Sequence, residues 1–136
     1  MGFISAIQTS LRKYVTFSGR ASRSEFWWFM LFNLLCLIGS AIISAQIDPS
    51  AVTATTGEGS VNFEVNSPVS GIIMLLLTLP TISVTVRRLH DTARSGWWYF
   101  IALIPLIGQI LLLIWMCSKG TSGDNRFGSD LLAPAA

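Results

Sequence analysis

The sequence predicts an all-α integral membrane protein, three transmembrane helices preceded by an N-terminal amphipathic helix lying in the membrane interface. Three observations predict it. Of the 136 residues, 51% are hydrophobic and only 12% charged, with a mean hydropathy of +0.60, whereas a soluble domain carries about 25% charged residues. The apolar residues gather into three blocks without formal charge, apolar all round where a soluble core helix would be striped. Lys and Arg crowd the segments before the first block and between the second and third, and the segment between the first and second has none.

The elements follow in order along a single membrane domain, 1–136. In residues 2–16, Phe3, Ile4, Ile7, Leu11, Tyr14 and Val15 recur at near-helical spacing, with Gln8, Arg12 and Lys13 off that face. Such a basic, moderately apolar segment reads as a helix in the cytoplasmic interface, held by anionic lipid. Its polar residues interrupt any signal-peptide core, and Ala6 stands where a myristoylation signal needs Ser or Thr. Ser22 and Glu25 form a capping-box pattern ahead of the first span, 26–47, which at about 1.5 Å per residue measures roughly 33 Å. The outer loop, 48–68, is rich in turn formers and is expected to be mobile, with one short strand turn where Val61 to Val65 alternates.

The second span is 69–86, and the third, capped by Ser95, is 97–117. Pro105 and Gly108 could break the third block into a re-entrant hairpin. Each arm would then be only about 15 Å long, so one span kinked at Pro105 is expected, followed by a tail, 118–136.

Because Lys and Arg in short loops are retained in the cytoplasm, Arg12, Lys13, Arg20 and Arg23 place the N-terminus inside, and Arg87, Arg88 and Arg94 place the second loop there. An odd number of spans then puts the tail in the periplasm. The same signature opens both inward-starting spans: Arg23-Ser24 leads to Trp27-Trp28, and Arg94-Ser95 to Trp97-Trp98. Indole rings settle at headgroup level and Arg reaches for phosphate, so these tryptophans read as interfacial anchors.

Inside the spans, Asn33, Cys36, Ser40 and Ser44 on the first and Gly71, Met74, Thr78, Thr81 and Thr85 on the second follow helical steps. Depth counting predicts two contact layers, Asn33 with Thr78 and Ser40 with Gln109. No acidic residue lies in any span, which favours helix packing over a transport path. Cys36 and Cys117 show no spacing for a metal or a disulfide.

The strongest candidate site is the inner-face cluster Arg87, Arg88, His90, Asp91 and Arg94, with Arg20, Arg23 and Glu25 at the same depth. Helical spacing allows Asp91 to pair with Arg87 or Arg94, and Glu25 to meet Arg88 or Arg94 across the bundle. The expected role is an ion-pair collar that binds the headgroups of anionic membrane lipids, or a cytoplasmic region of another membrane protein. His90 and Asp91, adjacent on a helix, point about 100° apart and make a poor acid-base pair. One His without a second, or a Cys pair, argues against zinc, and no nucleophile elbow or phosphate-binding glycine loop occurs. The run from Gly123 to Asp130 resembles a calcium loop but has its Gly at the fifth position and no Glu at the twelfth, so a tight turn at the membrane surface is expected.

No catalysis, cofactor, metal or nucleic acid is therefore expected, since these Arg residues sit beside Trp belts. A homo-oligomer is compatible with the pattern. The alternatives are an oligomeric transporter or channel subunit lined by Asn33, Thr78, Thr81 and Gln109, and a lipid-modifying enzyme using His90 and Asp91.

Several motifs in fixed order resemble one family. They are Gly19-Arg20-Ala21-Ser22-Arg23-Ser24-Glu25-Phe26-Trp27, then Arg87-Arg88-Leu89-His90-Asp91 with Arg94-Ser95-Gly96-Trp97-Trp98, then Ile104-Pro105-Leu106-Ile107-Gly108, and finally Gly120 through Gly128. This arrangement is similar to the bacterial inner-membrane family called domain of unknown function 805, the YhaH/YhaI-like proteins, with a longer outer loop here. The resemblance implies a small multi-span protein of the bacterial inner (plasma) membrane and supplies no activity.

Overall fold

In the computed structural model, which describes residues 1–133, two helices are long and apolar enough to cross a membrane: α2, Arg23–Ile47, and α3, Pro68–Asp91. At 1.5 Å per residue they measure about 37 and 36 Å, enough for a hydrocarbon core of about 30 Å. Their apolar side chains are not spent on a core. Leu35, Ile38, Ile42, Ile72 and Leu75 are 48% to 72% exposed, which a helix immersed in water could not sustain and a helix immersed in lipid requires. The remaining elements are α1, Phe3–Arg12; a 3-10 turn, Pro49–Ala51; strands β1, Val52–Gly57, and β2, Ser60–Val65; a 3-10 segment, Gly96–Leu103; and α4, Ile107–Cys117.

The chain divides into two compact units. One is residues 31–78. There the helices are joined by serine pairs: Ser70 donates to Ser40 Oγ at 3.1 Å, and Ser44 Oγ lies 2.7 Å from Ser67 Oγ. Ser40 thus has a partner on α3 within this unit. Thr78 donates to the Met74 carbonyl of its own helix and is exposed, and Asn33 is half-buried.

The outer loop is not the mobile segment expected. It folds into an antiparallel hairpin in register from Val52↔Val65 to Gly57↔Ser60, turning at Glu58-Gly59 with Gly59 at φ +78°. Strand β1 is Thr-rich, and β-branched residues suit a pleated ribbon. The turn lacks the Asn-Gly or Asp-Gly pair that makes such hairpins easy to read.

The other unit is residues 1–30 with 79–136. Helix α1 forms where the apolar spacing indicates, and Phe3 packs edge-on to Trp28 with centroids 5.7 Å apart. The buried Ser83 hydroxyl on α3 lies 2.8 and 2.6 Å from the Lys13 and Thr16 carbonyls, where the chain leaves α1. Ser22 caps α2 by accepting from the Glu25 amide at 3.2 Å, which completes half of the expected box. Helix α3 ends with the Arg94 amide on the Leu89 carbonyl and the Ala93 amide on the His90 carbonyl, a Schellman closure with Ala93 at φ +59°.

The third block is not a kinked span. The 3-10 segment and α4 are separate arms of about 16 Å each. They double back, with Trp98 near the start of one lying edge-on to Trp115 near the end of the other at 5.7 Å. At the tip Leu106 has φ +64° and ψ −65°, and the Ile107 amide bonds the Pro105 carbonyl at 2.8 Å, a γ-turn of the rare positive-φ form. Such a tip survives in an apolar setting only if its backbone is satisfied internally. The Ile104 and Gly108 amides meet the Ile101 and Ile104 carbonyls, and Pro105 has no amide to satisfy.

The hairpin returns the chain to the end it left, so the tail packs on the last turn of α3. The tail thus contacts the N-terminal segment within one compact unit, where a single third span would have carried it away.

Candidate functional site

The sequence-predicted cluster assembles at the end of α3, with partners the spacing alone did not identify. Asp91 takes two guanidinium groups. Arg20 Nε donates to Oδ1 at 2.9 Å with Nη2 at 2.8 Å from the same oxygen, and Arg88 Nη1 donates to Oδ2. Glu25 pairs with neither Arg88 nor Arg94 but with Arg87, whose Nη1 donates to Oε1 at 2.6 Å. Arg20, Glu25, Arg87, Arg88 and Asp91 are all buried. Within Arg87, Nε and Nη2 have no acceptor among the described residues, so this cation is held at a cost by a single carboxylate.

These arginines are therefore internal ties, and the expectation that they face lipid is corrected. Arg20 lies in the loop before α2 and reaches the tail, donating from Nη1 to the Gly123 carbonyl at 2.8 Å and from Nη2 to the Thr121 carbonyl at 2.6 Å. Arg88 donates to the Met116 and Ser118 carbonyls at the end of α4. The tail answers through its backbone, with the Thr121 amide on the Asp91 carbonyl at 2.7 Å.

His90 is fixed on every side. Its Nδ1 donates to the Gly19 carbonyl at 2.9 Å, its ring stacks on Phe127 at 4.0 Å and 1°, and its carbonyl accepts from Asn125 Nδ2 at 2.9 Å. The tail turn is local: the Phe127 amide bonds Asn125 Oδ1, and Asp130 accepts from the Gly123 and Leu132 amides. The Leu132 and Gly123 amides hold the Asp130 carboxyl below its ordinary value. This contribution is fully present above the ordinary carboxylate range and is lost as pH falls through the lowered value.

Gly120 shows how tightly the tail fits. A Cβ there would lie 2.1 Å from Asp91 Oδ2, inside a carboxylate that two guanidiniums hold in place. Gly120→Ala is expected to cost about 1–3 kcal/mol in thermal unfolding and to speed tryptic cleavage after Lys119 and Arg126. Equal cleavage rates in variant and parent would show that the tail does not depend on this contact.

The other cations remain outside this buried network. Arg23 is exposed and reaches only the Cys117 carbonyl, at 3.4 Å; Lys119 is exposed; Arg94 lies over the Trp115 ring at 4.5 Å and donates to the Thr92 carbonyl at 3.3 Å. Among the described residues none of these three has a carboxylate within ion-pair distance. Trp27, Trp28, Trp97 and Trp98 are 39% to 78% exposed.

Between the start of α2 and the tail lies a cavity of about 440 Å³. Arg23 and Lys119 line it together with the Ser22 and Ser24 hydroxyls, Asp130 and Leu131. The sequence reading had Arg23 but not Lys119 or the tail wall. The only signal for them was the Gly120 to Asp130 run, whose glycines and Asx residues marked a turn without its docking place.

The family described as Protein of unknown function (DUF805) matches residues 14–129. The chain is 40% identical to the inner membrane protein YhaI of Escherichia coli (strain K12), over 88% of this chain and 89% of that protein. It is 38% identical to the inner membrane protein YhaH of the same strain, over 88% and 90%. It is also 27% identical to the uncharacterized protein YiiR of that strain, over 85% of each. No solved structure matches.

Proposed function

The chain belongs to the DUF805 family, and from that premise we propose that it is a non-enzymatic component of the bacterial inner membrane whose cationic, cytoplasmic end binds anionic lipid. One observation carries the reading. All nine Lys and Arg residues fall in the unit formed by 1–30 and 79–136, with four of the seven carboxylates. The other three, Asp48, Glu58 and Glu64, lie in the unit 31–78 with no cation. The formal charges are +5 and −3, consistent with the net +2.

By the positive-inside rule this polarity orients α2 inward-to-outward and α3 in reverse. The N-terminus, the turn after α3 and the tail then face the cytoplasm, and the hairpin of β1 and β2 faces the periplasm. Helix α1, with its basic last turn, lies along the inner interface. The binding of His90 by Gly19, Phe127 and Asn125 supports a structural use of that ring over a catalytic one.

The test is lipid retention after gentle extraction, read by mass spectrometry. Each surface cation near anionic lipid contributes about 1 kcal/mol. A variant with Arg12, Lys13, Arg23, Arg94, Lys119 and Arg126 changed to Gln is therefore expected to lose at least about tenfold of the phosphatidylglycerol and cardiolipin enrichment. Arg20, Arg87 and Arg88 stay in place because they hold the fold. Unchanged enrichment refutes the reading. Orientation is read separately, by labelling a cysteine at Ser122 or Ser60 with an impermeant thiol reagent in the Cys36→Ala, Cys117→Ala background: only the Ser60 site should react from the periplasm.

A further inference from the structure

We infer that the cavity between the start of α2 and the tail is a binding site for one phosphate-bearing headgroup, with Arg23 and Lys119 as its cationic contacts; this rests on the proposed lipid-binding role. Three features converge there. Arg23 and Lys119 line the cavity, and among the described residues neither is neutralised by a carboxylate at ion-pair distance. Arg20 behind them is only 4% exposed and spends its donors on Asp91, Thr121 and Gly123, so it shapes the wall while the outer two cations stay available.

The first turn of α2 adds donors. The Ser22 and Ser24 hydroxyls bond each other at 3.0 Å, which leaves one hydroxyl proton of the pair for a ligand, and the Arg23 and Ser24 amides have no backbone acceptor among the described residues, at the positive end of a 25-residue helix. Arg offers a planar fork and Lys a point charge, a pairing suited to phosphate oxygens.

Depth and wall chemistry say what carries the phosphate. The site lies within one turn of Phe26, where the uncharged stretch of α2 begins, beside Trp27 and Trp28. Leu131 and Leu132, 45% and 73% exposed, form an apolar lip. A phosphodiester with an apolar remainder matches both halves. The volume of about 440 Å³ accommodates one headgroup and excludes a protein segment. Two carboxylates line the cavity, Asp91, which is paired with Arg20 and Arg88, and Asp130; they disfavour a second negative charge, so a monoanionic headgroup such as phosphatidylglycerol fits better than a dianionic phosphomonoester.

The experiment compares the parent, R23Q/K119Q, and E58Q/E64Q, whose exposed charges lie in the unit 31–78 and outside the cavity, each purified in detergent. Native mass spectrometry reads retained phosphatidylglycerol, and calorimetry reads inorganic phosphate. The parent is expected to hold one phosphatidylglycerol per chain, R23Q/K119Q to lose about tenfold or more of it, and E58Q/E64Q to keep it. R23K/K119R should retain most of the binding, which separates charge from an altered fold. Phosphate binding that is lost in R23Q/K119Q without lipid retention supports the site with a soluble ligand. Retention unchanged in R23Q/K119Q overturns it. If the six-cation variant then loses lipid, the cationic end binds elsewhere and only the cavity assignment falls; if it does not, both fall.

Discussion

Asp91→Ala is expected to cost about 3–5 kcal/mol and to free the tail, because one carboxylate compensates two buried guanidiniums. Arg20 and Arg88 converge on its two oxygens, and the Arg88 side chain is 0% exposed. Removing the carboxylate leaves both cations buried without a counter-charge, Arg20 at the wall of the cavity and Arg88 fully enclosed. The carbonyls of Met116, Ser118, Thr121 and Gly123 still accept from them, but carry no formal charge. Asp91→Asn, which keeps the shape, should fall between alanine and parent. The measurement is unfolding in detergent followed by tryptophan fluorescence, with tryptic release of residues after Lys119 as the local readout. A loss under about 0.5 kcal/mol, the scale of an ordinary surface change, would mean that the cluster is solvated. Arg94→Ala provides the contrast, since Arg94 is only half-buried, has no carboxylate at ion-pair distance among the described residues, and makes a ring contact that contributes about 0.5–2 kcal/mol.

Gly108→Ala is the second large effect. A Cβ on Gly108 would stand 1.7 Å from the Ile101 carbonyl oxygen and 2.8 Å from its carbon. Both are backbone atoms, so no rotamer relieves the overlap, and the two arms must separate next to a γ-turn that is already strained. The expected loss is about 3 kcal/mol or more, with disappearance of the Trp98–Trp115 edge contact from near-ultraviolet circular dichroism. Gly39→Ala serves as the control. It lies in α2 with nothing within 4 Å of its Cβ, and should be neutral or slightly stabilising. A Gly108→Ala variant matching Gly39→Ala in stability and spectrum would show that the third block is one continuous span.

The two long helices were legible because an uncharged run of spanning length is a one-dimensional signal. The Ser22 and Ser95 caps were legible because they act within three residues. Pairing partners were not. Arg87 and Arg88 are adjacent on one helix and point about 100° apart, so which of them meets Glu25 depends on how the helices are rotated. Arg20 was harder still, because its partners lie 71 to 108 residues away.

The third block was misread for an identifiable reason. An apolar run of spanning length fits one crossing, and two half-length arms contain the same residues. Only the local demand for a turn at Pro105-Leu106 and for a missing Cβ at Gly108 distinguishes them. That choice also fixed the side of the tail, so one misjudged turn displaced half of the candidate site. Lys119 then fell outside the cluster, although it completes the cavity wall.

The bonds from Arg20 to the carbonyls of Thr121 and Gly123 also impose an order on biosynthesis. At about 5–20 residues per second, the ribosome takes on the order of ten seconds after making Arg20 to supply its tail acceptors. Throughout that interval the guanidinium lacks those partners, and while α2 is being inserted it lacks Asp91 as well. Under the orientation proposed above it is then an uncompensated cation of the kind that holds a segment on the cytoplasmic side of the translocation machinery. Once α3 and the tail have been made, the same charge is withdrawn from the surface and becomes a clasp. In that orientation a single residue serves first as an address and then as a lock, and a chain stalled or cut before Thr121 is expected to be inserted yet unlatched.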